Sequence, residues 1–136
     1  VEWLAEELKN RYGVEISVEQ AEIERLNIDC EVLLFQVTRE LLINVVRHAK
    51  ATRCKVIVIE NNRSLRIIVK DNGRGFVYKP SNLKKVNGFG LFGVGERIKH
   101  LGGCFRVESR RGFGSSISVV VPRARLMRVS PLPVAN

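Results

Sequence analysis

The spacing of apolar positions changes several times along the chain, and each change marks an element. Trp3, Leu4, Leu8 and Tyr12 recur at helical spacing and predict an amphipathic helix over residues 1–12 with those four on one face. Gly13 follows, where glycine commonly sits just past a helix end. Val14, Ile16 and Val18 then alternate with Glu15, Ser17 and Glu19, the period of a half-buried strand. After a polar stretch, Asp29 is placed as an N-cap for a long helical pattern reaching about Ala49. That pattern carries Val32, Leu33, Phe35, Val37, Leu41, Leu42 and Val45. The runs CKVIVIE and LRIIVKD, separated by Asn61, Asn62, Arg63 and Ser64, predict a hairpin. Residues 72–90 read as an irregular, glycine-bearing loop. A helix is expected from near Leu91 to Gly102 and Gly103, and a second strand pair, CFRVES and SSISVVV, flanks the turn RRGFG. Pro122 ends the last strand.

Strands that come in adjacent pairs with short connections pair antiparallel, and helices then cover one face. The expected fold class is α+β: a two-layer α/β sandwich with a mixed, mostly antiparallel sheet. One domain over 1–122 and a basic, proline-containing tail over 123–136 are expected.

Composition narrows the function classes only slightly. The 136 residues are 45% apolar and 27% charged, ordinary for a globular domain. No apolar run approaches the roughly 18–20 residues of a membrane span. The start, VEWLAEELKNRY, is amphipathic, charged and unlike a signal peptide. Lys and Arg number 23 against 14 Asp and Glu, so 23 − 14 = +9, which favours anionic partners without choosing among them. The three cysteines, Cys30, Cys54 and Cys104, have no metal-ligand spacing and read as reduced thiols.

Three segments could carry chemistry. Glu40, Asn44 and His48 stand at i, i+4 and i+8 and share one face of the long helix. An amide oxygen there suits Mg²⁺, and a neighbouring carboxylate could orient or deprotonate a nucleophile. The same spacing suits an exposed polar stripe. DNGRGF, Asp71–Phe76, follows a strand: Asp71 is an acceptor for an amino group, and Gly73 and Gly75 permit close approach of a ligand. The same residues also make an ordinary turn. Gly88, Gly90 and Gly93 spell GxGxxG before a helix, whose free N–H groups attract anions. The dinucleotide-binding fingerprint fails here, because PSNLKKVN stands where a hydrophobic strand is required. Lys79, Lys84 and Lys85 read as solvated, or as phosphate contacts if the loop closes over a nucleotide.

Taken in order, these motifs resemble the catalytic ATP-binding domain of sensor histidine kinases, within the gyrase, Hsp90, histidine kinase and MutL ATPases. The segment with Glu40, Asn44, His48 and Ala49 resembles the family's N box. DNGRGF resembles the first glycine box, and GFGLFGVGERIKHLGG the second. GVGERIKHLGG with RGFGSSISVVVP is most similar to the NarX, DesK and LiaS type, and the likeness covers roughly residues 1–122. The resemblance implies the Bergerat ATP-binding fold, with ATP and Mg²⁺ between the long helix and a glycine-rich lid. It implies that Asp71 binds the adenine amino group, Gly75 lets the backbone approach the nucleotide, and Asn44 coordinates Mg²⁺ with Glu40 close by. Arg47 and His48 would face the phosphates, and Gly88, Gly90 and Gly93 would form the lid hinge and the phosphate-facing helix start. Gly73, Phe76, Lys79 and Leu91 complete the implied nucleotide contacts.

Two features depart from the family pattern. No phosphoacceptor helix, with its histidine followed by an acidic residue, occurs in this sequence, and Phe89 and Phe92 add bulk around Gly90. The expectation is a kinase module that is monomeric alone and belongs to a homodimeric parent. Its partners would be a separate dimerisation and phosphoacceptor domain and a response regulator, not nucleic acid. An anti-sigma-factor serine kinase of the same fold is the rival, against which the second glycine box argues. A basic nucleic-acid-binding module is the remote alternative, since no recognition signature accompanies the charge.

Overall fold

The computed structural model of the chain describes residues 2–20, 28–61, 63–75 and 89–122. Its elements are α1 (Glu2–Tyr12), β1 (Glu15–Gln20), α2 (Ile28–Asn44), a π-helical turn (Val45–Ala49), β2 (Arg53–Glu60), β3 (Ser64–Asp71), α3 (Phe89–His100), β4 (Cys104–Ser109) and β5 (Ser115–Pro122). The five strands form one sheet in the order β1-β2-β3-β5-β4. β1 lies parallel to β2, and the other three pairings are antiparallel. A parallel pair needs a long crossover, and α2 supplies it between β1 and β2. α3 likewise links β3 to β4, and β5 returns between them.

The three helices among the described residues lie on one side of the sheet. α1 packs on β1, α2 on β3 and α3, and α3 on β4 and β5. Strand alternation decides which residues they cover: Cys54, Val56 and Val58 of β2, Leu65, Ile67 and Val69 of β3, and Ile117, Val119 and Val121 of β5 are all buried. Leu41, Leu42 and Val45 of the long helix and Ile98 of α3 close the core over them. Each fully buried side chain of this size contributes about 1.5–3 kcal/mol. Among the described residues no helix is long and apolar enough to cross a membrane.

The observed elements match the expected order and class, with local corrections. On α1 the buried face is Leu4, Ala5 and Leu8, while Trp3 is 68% exposed and Tyr12 39% exposed. Trp3 and Ala5 flank Leu4 on the helix wheel, and only one side can meet β1. On α2, Leu34, Val37, Leu41 and Leu42 face the core, whereas Val32 and Phe35 remain exposed. α2 begins at Ile28, so Asp29 lies inside its first turn, and α3 begins at Phe89, two residues before Leu91. The long helix does not run uniformly to Ala49, because its last five residues wind as the π turn. That turn bonds i to i+5 and rotates His48 out of the i+4 series begun by Glu40 and Asn44. The tail, 123–136, lies outside the described residues.

Candidate functional site

At the C-terminal end of β3, alternation turns Asp71 to the helix-covered side, one step beyond buried Val69. Its register neighbours are Cys54 on β2 and Ser115 on β5. Both carboxylate oxygens are held: Oδ1 accepts the Gly73 N–H at 2.8 Å, and Oδ2 accepts the Ser115 hydroxyl. Each oxygen keeps a further lone pair, so the group is fixed in direction yet retains acceptor capacity.

The loop after Asp71 is stapled on three sides. Asn72 Oδ1 accepts the N–H groups of Thr52 and Arg53, each at 2.9 Å, which ties the loop to the start of β2. Arg74 donates its N–H to the Ala49 carbonyl at 2.7 Å and its Nε–H to the His48 carbonyl at 3.0 Å. A cation at a helix C-terminus is electrostatically favourable as well as a donor to its free carbonyls. The Arg74 carbonyl in turn accepts the Gly112 N–H at 2.6 Å, from the β4–β5 turn. Glycine is required for this closeness. A Cβ on Gly73 would fall on the Ala49 carbonyl oxygen, and one on Gly75, at φ +67°, would fall on that of Arg110.

Along the long helix, Glu40 and Asn44 are half-buried, while Arg47 and His48 in the π turn are exposed. Among the described residues the Asn44 carboxamide has no hydrogen-bond partner, so its hard oxygen is available. Glu40 lies 3.7 Å from Arg39 in an exposed pair, which is worth little. Between α2 and α3 opens a cavity of about 390 Å³ floored by Val37 and Val94 and walled by Glu40 and Gly93. Arg97 Nη1 donates to Gln36 Oε1 at 2.6 Å across one side of it. The position a Cβ would take on Gly93 is open space.

The structure therefore brings Gly73 and Arg74 against the end of the long helix, with Asp71 bonded to Gly73 and Gly75 against the β4–β5 turn, and sets Glu40 and Gly93 on one cavity, with Asn44 between the two places along the helix. Gly90 and Leu91 lie in the first turn of α3. Phe76, Lys79 and Gly88 lie outside the described residues. Sequence reasoning missed Ser115, Asn72 and Arg74. Asn72 sits within DNG, a visible turn signal, but nothing local marks Ser115, which reaches Asp71 from 44 residues away.

Cys54 shares this end of the sheet. Burial first, and the Asp71 carboxylate second, push its thiol from 9.0 up to about 12. Iodoacetamide at pH 7.5 is expected to modify exposed Cys104 at least about a hundredfold faster than Cys54, since the thiolate is the nucleophile. Peptide mapping over time checks this, and equal rates at the two sites would contradict the burial. The raised value also sets a sign. The contribution is intact below about pH 9, where both states keep the proton. It declines by about 1.4 kcal/mol per pH unit as the pH climbs from there toward the folded value, because the unfolded chain ionises first.

The family model for the histidine kinase-, DNA gyrase B- and HSP90-like ATPase matches residues 29–125. The signal transduction histidine-protein kinase/phosphatase DegS of Bacillus subtilis is 34% identical over 103 residues, covering 76% of this chain and 27% of DegS. The sensor histidine kinase LiaS of the same organism is 40% identical over 89 residues, covering 65% of this chain and 24% of LiaS. The chain thus spans about a quarter of the length of these relatives. In fold it is similar to the blue-light activated histidine kinase of Erythrobacter litoralis, with a TM-score of 0.77 at 16% identity over 94% of this chain and 42% of that one. It is also similar to the histidine kinase AdeS of Acinetobacter baumannii, with a TM-score of 0.69 at 16% identity over 89% of this chain and 61% of that one.

Proposed function

The chain belongs to the histidine kinase-, DNA gyrase B- and HSP90-like ATPase family, and from that premise we propose that it is the ATP-binding catalytic domain of a two-component sensor histidine kinase. It passes the γ-phosphoryl group of ATP to a histidine on a separate dimerisation and phosphoacceptor domain, for relay to a response regulator, in the cytoplasm. The observation that carries the reading is Asp71, held at both oxygens by Gly73 and Ser115 and stapled through Arg74 to the long helix.

The residues fit the ligands on chemical grounds. Asp71 offers an oriented anionic acceptor to the exocyclic amino group of adenine. Asn44 offers a hard, unpartnered amide oxygen about one turn from Glu40, the donor type that suits Mg²⁺. From Glu40 to Ala49 the helix runs about 13 Å, the scale of a nucleotide laid lengthwise with its base at Asp71 and its phosphates toward Gly93. Bound Mg²⁺ would neutralise phosphate charge. Glu40, half-exposed at the cavity wall, would orient the incoming histidine. Catalysis of this kind is mostly positioning and charge stabilisation.

Thermal-shift titration with ADP and ATP, with and without Mg²⁺, tests the reading. Nucleotide at a hundredfold its dissociation constant should stabilise by about 2.7 kcal/mol, which raises the midpoint by several degrees. Asn44→Asp should nearly abolish the Mg²⁺-nucleotide shift, because it sets a full negative charge beside the triphosphate. A folded wild-type chain with no shift from either nucleotide would overturn the assignment.

A further inference from the structure

The helices cover one side of the sheet, and the other side carries a charge pattern that nucleotide binding does not use. On this open face the three interior strands, β2, β3 and β5, present four exposed cations, Arg53, Lys55, Arg66 and Lys70, and no anion. The acids are confined to the edge strands: Glu15 and Glu19 on β1, and Glu108 on β4. Lys55 and Lys70 stand directly opposite each other in register, an arrangement that destabilises a sheet unless an anion lies over it. Lys55 is relieved by Glu19 at 2.8 Å, while Arg53, Arg66 and Lys70 have no ion-pair partner among the described residues.

The next row along is apolar at its centre, with Glu19 of β1 at one end and Ser118 of β5 and Arg106 of β4 at the other. Ile57 pairs with Ile68, and beyond them Ile59, 41% exposed, pairs with Arg66. A row of isoleucines is therefore bordered by Lys55 and Lys70 on one side and by Arg66 on the other. Alternate rows on one face of a strand are about 6.6 Å apart, so the two cationic borders stand about 13 Å from each other. An α-helix with its side chains is about 10–12 Å across. Five strands at ~4.8 Å spacing span about 19 Å, the length of a helix of about 13 residues.

We propose that this open face docks an acidic amphipathic helix of a partner protein, lying across the strands. Its apolar stripe covers Ile57 and Ile68, and its flanking carboxylates meet Lys55 and Lys70 on one side and Arg66 on the other. Helix on sheet is the ordinary way such a face is covered. Hollows of about 300 Å³, lined by Glu15, Arg53 and Lys55, and of about 380 Å³, lined by Glu108, Phe113 and Ser116, flank Lys70 at one end of this face.

The probe is a fluorescein-labelled synthetic helix of about 14 residues with a leucine stripe flanked by glutamates. Anisotropy titrations compare it with the same peptide carrying glutamines. Lys55→Glu with Lys70→Glu should weaken binding tenfold or more. Lys9→Glu with Arg63→Glu removes the same charge from α1 and the β2–β3 turn and should change it less than twofold. The Gln peptide should bind at least tenfold more weakly than the Glu peptide. Circular dichroism and a thermal melt check that each variant is folded, and Lys55→Gln with Lys70→Gln replaces the reversal if it is not. Equal losses in both double variants, or equal binding of the two peptides, would overturn the proposal in favour of diffuse attraction to a +9 chain. So would tighter binding to phosphatidylglycerol vesicles than to the Glu peptide, lost on Lys55 and Lys70 reversal. A concentration-dependent dimer lost in the same variant would overturn it in favour of the acidic α1 of a second copy, where Glu2, Glu6 and Glu7 surround exposed Trp3.

Discussion

Asp71→Asn should weaken adenine nucleotide binding by roughly two to three orders of magnitude while leaving the chain folded. In the structure Oδ1 takes the Gly73 N–H and Oδ2 takes the Ser115 hydroxyl. An asparagine can keep the first bond with its oxygen. The second survives in reverse, because the serine hydroxyl can rotate and accept from the new amide N–H. The protein network is therefore nearly conserved. What is lost is the anionic acceptor, and an N–H₂ group now faces the amino group of the base. A charge-assisted hydrogen bond is worth about 1.5–3 kcal/mol, and leaving a buried donor unpaired costs about 1–3 kcal/mol more. A total of about 3–4 kcal/mol corresponds to some 10²- to 10³-fold in affinity. Calorimetric titration with ADP, alongside a melt of the unliganded variant, checks both halves. Undiminished affinity in a folded variant would remove Asp71 from base recognition.

Gly75→Ala is expected to cost above about 3 kcal/mol of stability, or a fall of about 10 °C or more in midpoint. Two effects add. At φ +67° an L-residue pays about 1–2 kcal/mol for its backbone alone. The new Cβ also meets the Arg110 carbonyl, with the Gly114 carbonyl oxygen 3.0 Å away, and both are backbone atoms that cannot swing aside. Relief requires the loop to leave the β4–β5 turn, which breaks the bond between Gly112 and Arg74. Gly112→Ala separates the two effects. Gly112 has φ +84° with nothing within 4 Å of a Cβ, so only the backbone strain applies. Thermal melts of the pair should show the Gly75 variant at least twice as destabilised as the Gly112 variant. Equal losses would mean that the close approach to Arg110 contributes nothing.

The strands of both hairpins were legible because their apolar residues alternate and their turns are built of Asn, Ser, Arg and Gly. The helical stretch around Glu40 and Asn44 was legible for the same kind of reason, as was the glycine loop after Asp71. Errors arose where one local pattern admits several outcomes. Trp3 and Ala5 both adjoin Leu4 on the helix wheel, and only packing against β1 chose Ala5. The run from Asp29 to Ala49 reads as a single helix, but its last turn widens to π just where Arg74 takes the His48 and Ala49 carbonyls. The parallel pairing of β1 with β2 could not be read from either strand, since alternation says nothing of direction.

By itself, then, the sequence determined the number and type of elements, the hairpins, and the three short segments in which hard oxygen, carboxylate and glycine are concentrated. Period and turn chemistry act over a few residues, so they are written where they act. Only the tertiary structure decided that β5 returns between β3 and β4, which sets Ser115 opposite Asp71 across 44 residues. It also decided which face of the sheet the helices leave open, and so which cations stand in one row. Neighbours across a sheet are selected by the burial of the whole core rather than by any local preference, and the orientation of Asp71 follows from that selection.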